Sequence, residues 1–195
     1  RAEEDGDLEP WTAEQINAFE KSQTITPVTH LQLFDLAVHR LQDLKNWLER
    51  GNDSPWKTWQ RAEGETELRN LIAGWLRQKC GDQCTTAQEP ELANSQRMDI
   101  WLQNVNVQSP VPIELKLLDK GWSGPDLCER LRNQLVGDYL REESARCGVM
   151  LLVWQGQVAE KRWEINGSRV RVSDLAGALK TYWNHIAGNF PGVEA

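Results

Sequence analysis

The segment Val111-Pro112-Ile113-Glu114-Leu115-Lys116-Leu117-Leu118 sets a carboxylate and an ammonium two residues apart in a run otherwise apolar enough for a buried strand. On a strand, residues two apart share a face, so Glu114 and Lys116 project together while Ile113, Leu115 and Leu117 anchor the other side. A salt bridge across a half-exposed sheet face is the plain explanation of such a pair. Asp99 adds to it. In "RMDIWL" it is flanked by Met98, Ile100 and Trp101, on the preceding strand of an expected hairpin that would bring it near Glu114. Two carboxylates at one point repel and lose hydration, a cost that a divalent cation with hard oxygen ligands offsets, so the arrangement points to Mg²⁺ or Mn²⁺. Glu67, in the first turn of an expected helix, and Gln134, between Leu131, Leu135 and Tyr139 in another, are further polar candidates. Each has a simpler explanation: Glu67 favours its helix N-terminus, and Gln134 is a solvated helix residue.

These residues need elements to position them. Leu31, Leu33, Phe34, Ala37, Val38, Leu41, Leu44, Trp47 and Leu48 recur at three- and four-residue steps and predict an amphipathic helix from Thr29 to Arg50, closed by Gly51. The "GNDSP" that follows is a turn and the candidate boundary. It divides an acidic leader, 1–10, and a helical N-terminal segment, 11–54, from a main domain, 55–195; a short helix from Trp11 to about Lys21 opens the helical segment. A second helix is expected from Thr66 to about Lys79, stopped by Gly81. Strands follow at Thr85–Glu89, Arg97–Leu102 and Val111–Leu118, and Pro125 opens a third helix to about Glu143. The apolar "GVMLLVW", Gly148–Trp154, reads as a strand covered on both faces. Strands around Trp163–Ile165 and Val170–Val172 lead to a last helix from Ser173 to about Ile186. The order αβββαβ places the chain in the α/β (mixed α+β) class, with a mixed sheet flanked by helices.

In that order, Glu67, Asp99, Glu114-Leu115-Lys116 and Gln134 resemble the active-site pattern of the PD-(D/E)XK nuclease superfamily, whose restriction-endonuclease-like fold has the same αβββαβ core. The resemblance covers roughly residues 58–155, and Met98 stands where the family's name has proline. It implies a Mg²⁺- or Mn²⁺-dependent phosphodiesterase, an endonuclease acting on DNA rather than RNA. Asp99 and Glu114 would hold the metal, with the main-chain carbonyl of Leu115 as a further ligand, and Lys116 would lie beside the metal and the scissile phosphate. Glu67 would orient a metal-bound water or ligate a second metal, and Gln134 would position water or phosphate. Lys120, Arg130 and Arg132 are the expected nucleic-acid contacts, with Arg69, Arg97 and Arg141 as further cations. Trp122, in "DKGWSGP", is a stacking candidate or a ring packed under its own loop.

Bulk properties bound the reading without deciding it. The 195 residues suit one main domain. Of the net charge of −7, residues 1–20 supply seven acids and one base, which leaves a near-neutral body whose binding of phosphate depends on a local basic face. Ten Trp residues supply large core anchors. Cys80 and Cys84 have no matching second pair for zinc, and the four cysteines are expected as reduced thiols of a cytoplasmic protein. No apolar run reaches the roughly 18 residues of a membrane span. His30, His39 and His185 are scattered, and no Gly-rich phosphate loop or nucleophile elbow supports other hydrolase chemistries. The start at Arg1 suggests a piece of a longer chain, such as the effector domain of a bacterial defence or repair protein, acting as a homo-oligomer or within a multidomain polypeptide. Two other readings compete: a non-catalytic nucleic-acid-binding or protein-interaction module on the same fold, and a helical adaptor whose acids lie on its surface.

Overall fold

The computed structural model describes residues 12–14, 26–88, 98–140, 145–156 and 161–193, with the backbone alone at 137–139. The acidic leader and most of the expected Trp11–Lys21 helix lie outside these residues; Ala13 and Glu14 are helical.

Thr29 opens α1 (His30–Arg50) with a reciprocal cap. Its hydroxyl accepts from the Gln32 amide while the Gln32 side chain accepts from the Thr29 amide, which satisfies two donors at the helix start. Leu33, Ala37, Leu41 and Leu44 fall on one buried face. After a short α2 (Trp56–Trp59), α3 (Glu65–Cys80) buries Leu68, Ile72 and Leu76 against the same cluster. The "GNDSP" turn therefore joins helices that share one core.

Four strands, β1 (Thr85–Gln88), β2 (Ile100–Gln103), β3 (Val111–Leu117) and β4 (Val149–Val153), form a mixed sheet in that order. β1–β2 and β2–β3 are antiparallel; β3–β4 is parallel. β3 is central, and each of its residues is buried. Pro112 is tolerated because pairing with β4 begins one residue later, at Ile113 opposite Val149, so its missing N–H breaks no ladder. Ile113, Leu115 and Leu117, with Ile100, Leu102, Val149, Leu151 and Val153, face α1 and α3.

The opposite face carries Trp101, Met150 and Leu152. It is covered by α4 (Gly124–Glu129), by the π-helical stretch Arg130–Tyr139 that continues it, and by α5 (Val172–Ile186). Leu127, Leu131 and Leu135 reach in from the first two, and Leu175, Leu179 and Trp183 from α5. The expected regular helix thus changes character at Arg130, and its proposed extension to Glu143 lies outside the described residues. A hairpin of β5 (Trp163–Ile165) and β6 (Ser168–Val170) packs beside α4. Gly124 is required there, since a Cβ would come within 1.9 Å of the Glu164 carbonyl oxygen.

One expectation is corrected. Cys80 and Cys84 form a disulfide rather than remaining thiols, because Gly81 (φ 52°) turns the chain at the end of α3 and brings the two Cα atoms to 5.2 Å. Cys128 and Cys147 lie outside it. Among the described residues, no helix is long and apolar enough to cross a membrane.

Candidate active site

β2 begins at Ile100, opposite Ile113, so Glu114–Leu117 continue beyond it with β4 as their strand partner among the described residues. A strand edge of this kind leaves main-chain donors to be satisfied by other means. Two carboxylates do so. The Leu115 amide donates to Asp99 Oδ2 at 2.8 Å, and the Leu117 amide donates to Glu65 Oε1 at 2.9 Å. A strand residue turns its carbonyl to the same edge as its N–H, so the Leu115 carbonyl faces this side as well.

Asp99 lies in the bend before β2, one position beyond the Ile100–Ile113 pair and therefore at the level of Glu114. Its Oδ1 accepts from Arg69 Nη1 at 3.2 Å. Arg69 sits one helical turn after Glu65 on α3, and the two side chains of the ion pair are 10% and 18% exposed. Asp99 thus ties the head of β2 to both the edge of β3 and the helix beneath the sheet.

Glu114 and Lys116 project to the opposite face from Leu115. They are 1% and 5% exposed and bound to each other through Glu114 Oε1 and Lys116 Nζ. A pair on a wetted sheet face is thereby excluded. The Lys116 ammonium lies 5.2 Å from the centroid of the Trp122 ring, and the Arg130 guanidinium lies 5.6 Å from that centroid, both within cation–π range. Arg130 Nη1 in turn donates to Gln134 Oε1 at 3.3 Å. A continuous line of polar contacts therefore runs from β3 through the Trp122 loop to the π-helical turn.

Most of the residues singled out in the sequence gather here. Asp99, Glu114, Lys116 and the Leu115 main chain occupy one end of β3, and Trp122, Arg130 and Gln134 extend outward from it. Glu67 does not join them. It is exposed, and its Oε2 accepts from the Glu63 amide at 2.9 Å, a contact local to the start of α3. The acid of that helix which meets the sheet is Glu65, two positions earlier, whose Oε1 accepts from the Leu117 amide. Lys120 and Arg132 are exposed, and Arg132 Nε donates to its neighbour Asn133 at 3.0 Å. Trp122 is half-buried in the cluster around Leu118 and Leu127, and its carbonyl accepts from Trp163 Nε1 at 3.0 Å, so the ring packs under its loop between protein cations. Arg97 and Arg141 lie outside the described residues. Arg69, expected among the phosphate contacts, is turned inward.

The oxygen-only donors Glu65, Asp99, Glu114 and the Leu115 carbonyl suit a hard divalent ion such as Mg²⁺ or Mn²⁺. Yet each of the two central acids is held by an internal cation, Asp99 by Arg69 and Glu114 by Lys116. Among the described residues, no three His, Cys, Asp or Glu side chains gather as they would around a metal ion. A divalent ion would take the oxygens of Asp99 and Glu114 only if Arg69 and Lys116 released them. No protein-family model, curated protein or solved structure matches the chain, and the functional reading rests on its own residues.

Proposed function

We propose that this chain is a Mg²⁺- or Mn²⁺-dependent phosphodiesterase on a restriction-endonuclease-like core, of the PD-(D/E)XK type, cleaving DNA endonucleolytically. The observation that carries the reading is the buried Glu114–Lys116 pair beside the Asp99-capped edge of β3. Stability alone does not call for it, since well-packed apolar residues in place of a buried ion pair are often as stable or more so.

The ion, when bound, would supply an acidified water and neutralise charge on the crowded phosphate. Asp99, Glu114 and the Leu115 carbonyl hold it. Lys116, against the Trp122 ring, would place a positive charge where negative charge develops on the phosphate. Glu65 takes the water-orienting role first expected of Glu67. Arg130 and Gln134 position the phosphate on the side of the π-helical turn, and exposed Lys120 and Arg132 contact the backbone farther out. With a near-neutral body behind the acidic leader, the domain binds DNA modestly and in a salt-sensitive way. Further grip from a second copy or from the rest of a larger chain, and a cytoplasmic defence or repair role, accompany this reading.

A second reading has one observation in its favour. Asp99 and Glu114 are already neutralised by Arg69 and Lys116, as in a non-catalytic module that keeps the fold and binds nucleic acid or protein without a metal. Plasmid nicking separates the two. The nuclease reading expects nicking of supercoiled DNA with Mn²⁺, abolished by EDTA and by Glu114→Gln. Nicking that survives either treatment contradicts the nuclease reading, and binding of DNA with no cleavage under any divalent ion favours the module.

A further inference from the structure

We propose that Arg69 is a built-in competitor of the divalent ion, a guanidinium that occupies Asp99 and sets the metal concentration at which the site loads. This rests on the proposed metal-dependent reading and deepens it.

Arg69 is a buried base on an otherwise apolar stripe of α3. Leu68 and Ile72 flank it in the core, and it is itself 8% exposed. Arginine is seldom this buried without a partner, and one partner of Arg69 is Asp99, an expected metal ligand. The choice of base matters. A guanidinium keeps its proton at any working pH, so the approach of a divalent ion cannot neutralise it. A cation arriving at Asp99 therefore meets a fixed like charge and binds only when the Arg69–Asp99 contact opens.

The geometry gives the contact a second hold. Asp99 Oδ2 accepts from the Leu115 amide, which fixes the carboxylate on the edge of β3 whether or not Arg69 is present. Removing Arg69 thus leaves a positioned carboxylate rather than a wandering one. The effect on metal binding is a gain.

The test is a Mn²⁺ titration of the DNA-free protein. It is read by the electron paramagnetic resonance signal of unbound Mn²⁺ and, independently, by the shift in Tm. Arg69→Gln is expected to bind Mn²⁺ about tenfold or more tightly than wild type, and Asp99→Asn to abolish the site in both backgrounds. If Arg69→Gln folds poorly without metal, Arg69→Lys decides. Its ammonium lacks the guanidinium fork and holds Asp99 less well, so Mn²⁺ binds more tightly than to wild type. Equal or weaker Mn²⁺ binding by the folded variants, with wild type binding normally, overturns the proposal and leaves the metal-dependent reading intact. Binding by Arg69→Gln alone, with none by wild type at millimolar Mn²⁺, upholds the competition and contradicts the nuclease reading. Binding by neither overturns both.

Discussion

Glu65 on α3 and the amide of Leu117 on β3 meet at 2.9 Å across 52 positions of sequence. The carboxylate stands in for the strand that β2 does not supply, as Asp99 does one step earlier at Leu115. A hydrogen bond to a charged acceptor contributes about 1.5–3 kcal/mol. Glu65→Ala is expected to lose that much in urea unfolding and to speed hydrogen exchange at the Leu117 amide. Glu67→Ala, whose contact is local and exposed, is expected to stay within about 0.5 kcal/mol of wild type. The reverse ranking would return the site to Glu67.

The Glu114–Lys116 pair makes a second prediction. Removing one member leaves the other charged and buried, at a cost of about 3–5 kcal/mol. Lys116→Met and Glu114→Leu should each be strongly destabilised, and the double variant should recover most of the loss. A double variant as unstable as the sum of the two would show that the residues do not act as a pair. Lys116→Ala is consequently a poor probe of catalysis unless circular dichroism shows it folded at the assay temperature.

Asp126 gives a pH signature at the loop that carries Trp122. The Ser123 hydroxyl first, and the Ser123 amide second, hold its carboxyl below the ordinary 3.8. A depressed carboxylate stabilises the fold above the unfolded-state value, and this contribution disappears as pH falls through the lower folded-state value. The window therefore lies below pH 3.8. Carbon-detected NMR titration should find Asp126 below that value in wild type and moved up toward it in Ser123→Ala. No movement would remove the cap from the account.

The Cys80–Cys84 bridge should appear in non-reducing peptide maps as one linked peptide. Closing so short a loop restrains the unfolded chain modestly, and reduction is expected to cost about 2 kcal/mol. Cys128 should label slowly with iodoacetamide near neutral pH, because burial raises its thiol above 9.0. Rapid labelling of Cys80 and Cys84 in the unreduced, folded protein would contradict the bridge.

Much of the fold was legible because its signals are local. The apolar period of α1 and the alternation along β3 each act within one element. The Asp99 and Glu114-Leu115-Lys116 constellation was legible because charges inside apolar runs conflict with their surroundings. The choice between Glu65 and Glu67 was not. Both acids stand in the first turn of α3, and only the docking of that helix on β3 decides which one meets the sheet. Arg69 carries a local signal of its own: it lies four residues after Glu65 and next to Leu68, so a base on the apolar stripe marks an inward ion pair. The Cys80–Cys84 bridge depends on the positive φ of Gly81, and composition does not report it. The change to π-helix at Arg130 has no local marker such as proline.

The central claim is that Asp99 and Glu114 share one hard cation. Crystals grown or soaked with Mn²⁺ and measured at the manganese absorption edge test it most directly. The account predicts one anomalous peak about 2.1 Å from oxygens of Asp99, Glu114 and the Leu115 carbonyl, with Arg69 withdrawn from Asp99. Saturating Mn²⁺ that leaves both the Arg69–Asp99 and Glu114–Lys116 pairs closed, with no peak between the two carboxylates, would contradict it.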